Sequence, residues 1–80
     1  MEEEIESIVA VIEDLENDGS VPKNVKSKLI KITGILKENA ETSIKVNKAL
    51  HELEEIEDDV NLQQFARTQL WNIASMLEKL

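Results

Sequence analysis

Cysteine is absent from these 80 residues, which removes disulfides, thiolate nucleophiles and cysteine-held zinc and fits a reducing interior. Long apolar runs are missing too. The longest is Ile8-Val9-Ala10-Val11-Ile12, far short of the roughly 20 residues that a membrane span requires. The Met-Glu-Glu-Glu start has neither the basic beginning nor the apolar stretch of a signal peptide. The expectation is a soluble, cytoplasmic protein that does not engage membranes. Positive charge is scarce, with 9 Lys and Arg against 17 Asp and Glu, a formal net charge of -8. Such a surface repels polyanions, so general nucleic-acid or anionic-membrane binding is disfavoured. Aromatics number only two, Phe65 and Trp71, and Arg67 is the one arginine.

Eighty residues support one small domain with a thin stability margin, because a chain this short buries only about two-thirds of its unfolded surface. Without disulfides or an obvious metal set to reinforce it, helix packing or self-association must supply the margin. A homo-oligomer or a protein partner is therefore expected.

What the chain does have is helical periodicity. Ile5, Ile8, Val9, Ile12 and Leu15 recur at spacings of three and four and predict a helix over about 2–17. Asn17, Asp18, Gly19 and Ser20 stop it, with Gly19 expected in the left-handed cap. Pro22 then suits the first turn of a helix over 22–38, whose stripe is Val25, Leu29, Ile32 and Leu36. Gly34 within it is expected to admit close approach of a neighbouring helix. A turn near residues 39–42, with Asn39 or Thr42 as cap, avoids an improbably long helix and starts a third one over 41–57 carrying Val46, Ala49, Leu50, Leu53 and Ile56. Asn61 with Gln64 matches a capping box for a fourth helix over 62–79. There Leu62, Ala66, Leu70, Ile73, Leu77 and Leu80 form the stripe, and Phe65, Trp71 and Met76 widen it. The fold class is all-α, a small antiparallel four-helix bundle forming one domain over residues 1–80.

Charge is uneven along the chain. Residues 1–22 hold acids and no Lys or Arg, whereas residues 19–37 hold Lys23, Lys26, Lys28, Lys31 and Lys37 and no acid. Pairing of the first helix with the second is expected, in the molecule or across an oligomer.

Val21-Pro22-Lys23-Asn24-Val25, followed by Asp59, Asn61, Arg67-Thr68, Trp71, Ser75 and Leu77-Glu78, resembles a family of short, uncharacterised archaeal proteins. That family shows a Val-Pro-basic-Asn opening to its second helix, an Asp-Pro-Asn turn and an Arg-Thr-x-x-Trp segment. Here Val60 and Gln63 stand where prolines are expected, which makes the approach to the last helix less rigid. The resemblance implies an all-helical fold and assigns no activity, cofactor or substrate.

No chemistry-bearing constellation emerges. His51, the sole histidine, lies near Glu52 and Glu55, but carboxylate-bridged metal bundles need Glu-x-x-His motifs on facing helices, and Lys48 occupies the position three before it. A solvent-facing histidine and no metal or cofactor is the reading. The run Glu54, Glu55, Glu57, Asp58 and Asp59 is expected to be a solvated helix end, and no serine has a placeable histidine and acid. Two surfaces merit attention. Lys23, Asn24, Lys26 and Lys31 could follow a phosphate backbone as a nucleic-acid or ribonucleoprotein accessory. Arg67 and Trp71, four apart and on one face, form either a partner-binding patch or, the favoured reading, a core or self-interface tryptophan covered by an arginine stem. The expected function is a non-enzymatic protein-interaction module or self-associating scaffold, with a metal-dependent enzyme around His51 the least favoured alternative.

Overall fold

The computed structural model describes residues 2–80 and contains α1 (Glu2–Glu16), α2 (Lys23–Leu36), α3 (Thr42–Glu57) and α4 (Gln64–Glu78). Each helix packs on the one before it, and α4 returns to α1, so the four close into an antiparallel bundle. None of the helices is long and apolar enough to cross a membrane.

The expected stripes are the core. Ile12, Val25, Leu29, Ile32, Ala49, Leu53, Leu70, Ile73 and Leu77 are fully shielded, and Ile5, Ile8, Val9, Leu15, Val21, Leu36, Val46, Ile56, Leu62 and Ala66 complete the cluster. Burial of these side chains is the main favourable term, as each large apolar one contributes about 1.5–3 kcal/mol. Glu2, Glu3 and Glu4 occupy the first turn of α1, where carboxylates complement the helix dipole.

Two of the three helix connections depart from expectation in the same way, with side-chain-stabilised turns replacing glycine and box caps. Gly19 is not left-handed. Instead the Asp18 carboxylate accepts the Ser20 amide at 2.8 Å and the Ser20 hydroxyl at 2.6 Å, and the Val21 amide donates to the Asp18 carbonyl. Asp59 repeats the device: its carboxylate accepts the Asn61 amide at 2.8 Å and its carbonyl accepts the Leu62 amide. In both turns the fourth residue, Val21 or Leu62, plugs into the core. An aspartate reaching two residues ahead turns the chain without positive φ, so the glycine is dispensable. Asn61 is thus inside a turn and not a cap. The residue before α4 is Gln63, that before α3 is Glu41 and that before α2 is Pro22, none with a side-chain capping bond.

Gly34 is likewise not a close-approach site. A Cβ there would meet nothing within 4 Å, and the residue is exposed in mid-helix. Gly34→Ala is therefore expected to raise stability by about 1 kcal/mol, read as a higher urea midpoint with unchanged slope.

Candidate functional site

Four of the residues that carry the family resemblance, Asn24, Asp59, Asn61 and Arg67, meet at the end of the bundle where the α1–α2 and α3–α4 turns lie. Asn24 Nδ2 donates to Asp59 Oδ2 at 2.7 Å, tying the start of α2 to the α3–α4 turn. Arg67 Nη2 donates to the Asp59 carbonyl at 3.0 Å and Nη1 reaches the Glu57 carbonyl at 3.5 Å. A guanidinium at the C-terminal end of α3 satisfies carbonyls that the helix leaves open and complements its dipole. Hydrogen bonds from Asn24 and Asn61, with the nearby Arg67 charge, hold the Asp59 carboxyl below its ordinary value. These contacts tie down a turn in which Val60 and Gln63 replace the expected prolines. The structure thus gives both residues a partner inside the bundle: the Arg67 guanidinium grips backbone, and Asn24 holds Asp59.

The α2 lysines separate into two groups. Lys28 and Lys31 lie on the flank facing α3 and converge on Glu52, at 2.5 Å and 2.7 Å, while Lys28 also reaches Glu55 at 2.9 Å. Glu52 is only 8% exposed. Hydrogen bonds from Lys28 and then Lys31 outweigh its desolvation and draw its carboxyl down to about 2. The same contacts, Glu52 first, raise Lys28 above its ordinary value. The expected α1–α2 pairing is therefore mostly an α2–α3 pairing. Toward α1, Lys37 at the C-terminal cap of α2 makes a looser contact with Glu13 at 3.7 Å, because it lies on the opposite flank. Sequence reasoning missed Glu52. The signal was its i,i+3 spacing to Glu55, matched by Lys28 and Lys31, but that spacing does not say which helix faces which.

Lys23 and Lys26 make no ion pair among the described residues, so of Lys23, Asn24, Lys26 and Lys31 only these two remain unengaged. His51 faces solvent, with its side chain 75% exposed and 3.9 Å from Glu55. Among the described residues no group of three or more His, Asp or Glu is arranged to hold a metal ion.

Trp71 is 56% exposed and is no part of the monomer core, which corrects the core half of the favoured expectation and not its self-interface half. Helix geometry explains why. Ala66, Leu70, Ile73 and Leu77 occupy the buried seam of α4, and at 100° per residue Phe65 and Trp71 fall roughly 110° to one side of its centre and 130° to the other. Phe65, 42% exposed, borders a groove against Val11, Asp14 and Leu15 of α1 and Asp18 of the turn that follows it. Trp71 borders a groove of about 360 Å³ between α3 and α4, with Leu50 and Ala74 as its other apolar walls and Glu54, Glu57 and Glu78 around it. Partial burial raises the Glu57 carboxyl above its ordinary value, and the charges of Glu54, Asp58 and Glu78 push it further.

The chain matches the uncharacterised protein family UPF0147 over residues 1–80. It is 34% identical to a UPF0147 protein of Methanocaldococcus jannaschii over 79 residues, covering 98% of this chain and 85% of that one. A UPF0147 protein of Archaeoglobus fulgidus is 32% identical over 76 residues, 95% of this chain and 87% of its own. Among solved structures, the crystal structure of the unknown-function protein MMP1188 superposes with a TM-score of 0.91 at 28% identity, covering 96% of this chain and 89% of that one.

Proposed function

We propose that this chain, which belongs to the uncharacterised family UPF0147, acts as a non-enzymatic protein-interaction module whose contact surface is the Trp71 face of α3 and α4. The observation that carries the reading is the exposure of Trp71 in a groove with Leu50 and Ala74. A large side chain left outside the core gives up burial energy that a thinly stabilised bundle needs. Tryptophan is also among the side chains that anchor interfaces. A nucleic-acid role has less support: Asn24 and Lys31 are engaged inside the molecule, which leaves Lys23 and Lys26 on a chain of net charge -8.

The test is site-specific photo-crosslinking in nuclease-treated extract of the source organism. A benzophenone amino acid at position 71 is compared with one at Ile30, an equally exposed apolar position on α2. One dominant adduct from position 71, absent from position 30, is the expected result. Adducts of equal strength from both positions, or none from 71, would overturn the reading.

A further inference from the structure

The surroundings of Trp71 say what chemistry its partner should have. Three carboxylates, Glu54 and Glu57 from α3 and Glu78 from α4, border the groove that the indole enters. None of the three forms an ion pair with a lysine or arginine among the described residues. The nearest guanidinium, that of Arg67, is committed to the carbonyls of Glu57 and Asp59. Glu52, by contrast, is matched at close range by Lys28 and Lys31. At this groove like charges are left together beside an exposed aromatic face.

From this charge pattern we infer that the Trp71 groove is a docking site for an arginine-bearing basic segment of a partner protein, with the guanidinium on the indole face and its N–H groups donating to Glu54, Glu57 and Glu78. The inference rests on the Trp71 face being the contact surface and adds the chemical class of its occupant. Arginine suits the place better than lysine because its flat, weakly hydrated cation stacks on an indole while still donating to several carboxylates. A second copy of this chain is the poorer occupant: two such grooves face to face would bring six carboxylates together. The overall charge of -8 draws a basic segment in from a distance, and the groove holds it.

The probe is the blocked peptide acetyl-(Gly-Arg)3-amide, titrated at low salt and followed by Trp71 fluorescence and calorimetry, with the Gly-Glu counterpart as control. Expected is saturable 1:1 binding that changes Trp71 emission and weakens with salt, and no binding of the acidic peptide. The triple variant Glu54→Gln, Glu57→Gln, Glu78→Gln should lose about tenfold in affinity, and Trp71→Leu should lose affinity by calorimetry, whereas a charge-matched variant, Glu3→Gln, Glu6→Gln, Glu41→Gln, should change about twofold at most. Circular dichroism checks that each variant is folded, which the groove variant should be because it loses like-charge repulsion. Equal losses in the two triple variants would reduce the effect to diffuse attraction and overturn the inference. So would an unresponsive Trp71, or emission that shifts on dilution of the protein alone, which would put a second copy on the groove. If the peptide fails while crosslinks at position 71 persist, the contact surface stands and only its basic selectivity falls.

Discussion

Leu70→Ala is expected to remove about 2–5 kcal/mol of stability, while Trp71→Ala, one residue further on and a far larger truncation, should remove about 1 kcal/mol. Leu70 has no exposure and is enclosed by the seam of α4 and the facing helices, so its loss leaves a cavity as well as forfeiting burial. More than half of the Trp71 side chain is already in water. For 80 residues a total stability of about 4–12 kcal/mol is expected, so the leucine change takes a large fraction of the whole. In a domain of this size it should lower Tm by roughly 10–30 °C. Urea unfolding followed by circular dichroism measures both variants on one scale. A tryptophan variant as damaging as the leucine variant would mean that Trp71 is a core residue after all, and the docking surface would go with it.

The second large effect is in the pH dependence. Glu52 is held at about 2 against an ordinary 4.5. A lowered carboxyl binds fewer protons in the folded state than in the unfolded one, so its stabilisation is fully present above about pH 4.5 and disappears as pH falls toward 2. Asp18 and Asp59, also lowered, act with the same sign; Glu57, raised, acts with the opposite one. Lys28, raised, contributes below its ordinary 10.5 and ceases to do so as pH climbs through its higher folded value. The bundle should therefore weaken at both extremes through one cluster. Thermal melts from pH 2 to pH 12 should show Glu52→Gln less stable than the parent at neutral pH and nearly equal to it at pH 2, with a visibly flatter slope between. Parallel curves for the two proteins would remove Glu52 from the account. Added salt should blunt the exposed Lys37–Glu13 contact more than the Glu52 cluster, whose acid is nearly buried.

The two aspartate turns show where sequence reasoning lost resolution. Asn17 to Ser20 reads as a stop because Asn, Asp, Gly and Ser all favour turns, yet that composition does not say whether the glycine backbone or the aspartate carboxylate makes the turn. The same holds at Asp59, where Asn61 and Gln64 fit a capping box that the chain does not form. A box requires the helix to begin right after Asn61, and the burial of Leu62 below the turn delays that start to Gln64. Asn24, Asp59 and Arg67 are among the residues that carry the resemblance, which left open what joins them. Their common role at one end of the bundle required α2 and α3 to be neighbours.

The sequence by itself determined four helices, their order, the side of each that is buried and the net negative surface, because apolar spacing at three and four residues is a local property of the chain. Only the tertiary structure decided that Lys28 and Lys31 belong to Glu52 and not to α1, that Arg67 grips carbonyls, and that Trp71 lies in an acidic groove outside the core. The physical reason is the same in each case. A stripe says which way a helix faces the core, but its flanks point at whichever helices stand beside it, and neighbour choice is settled by how four stripes close together.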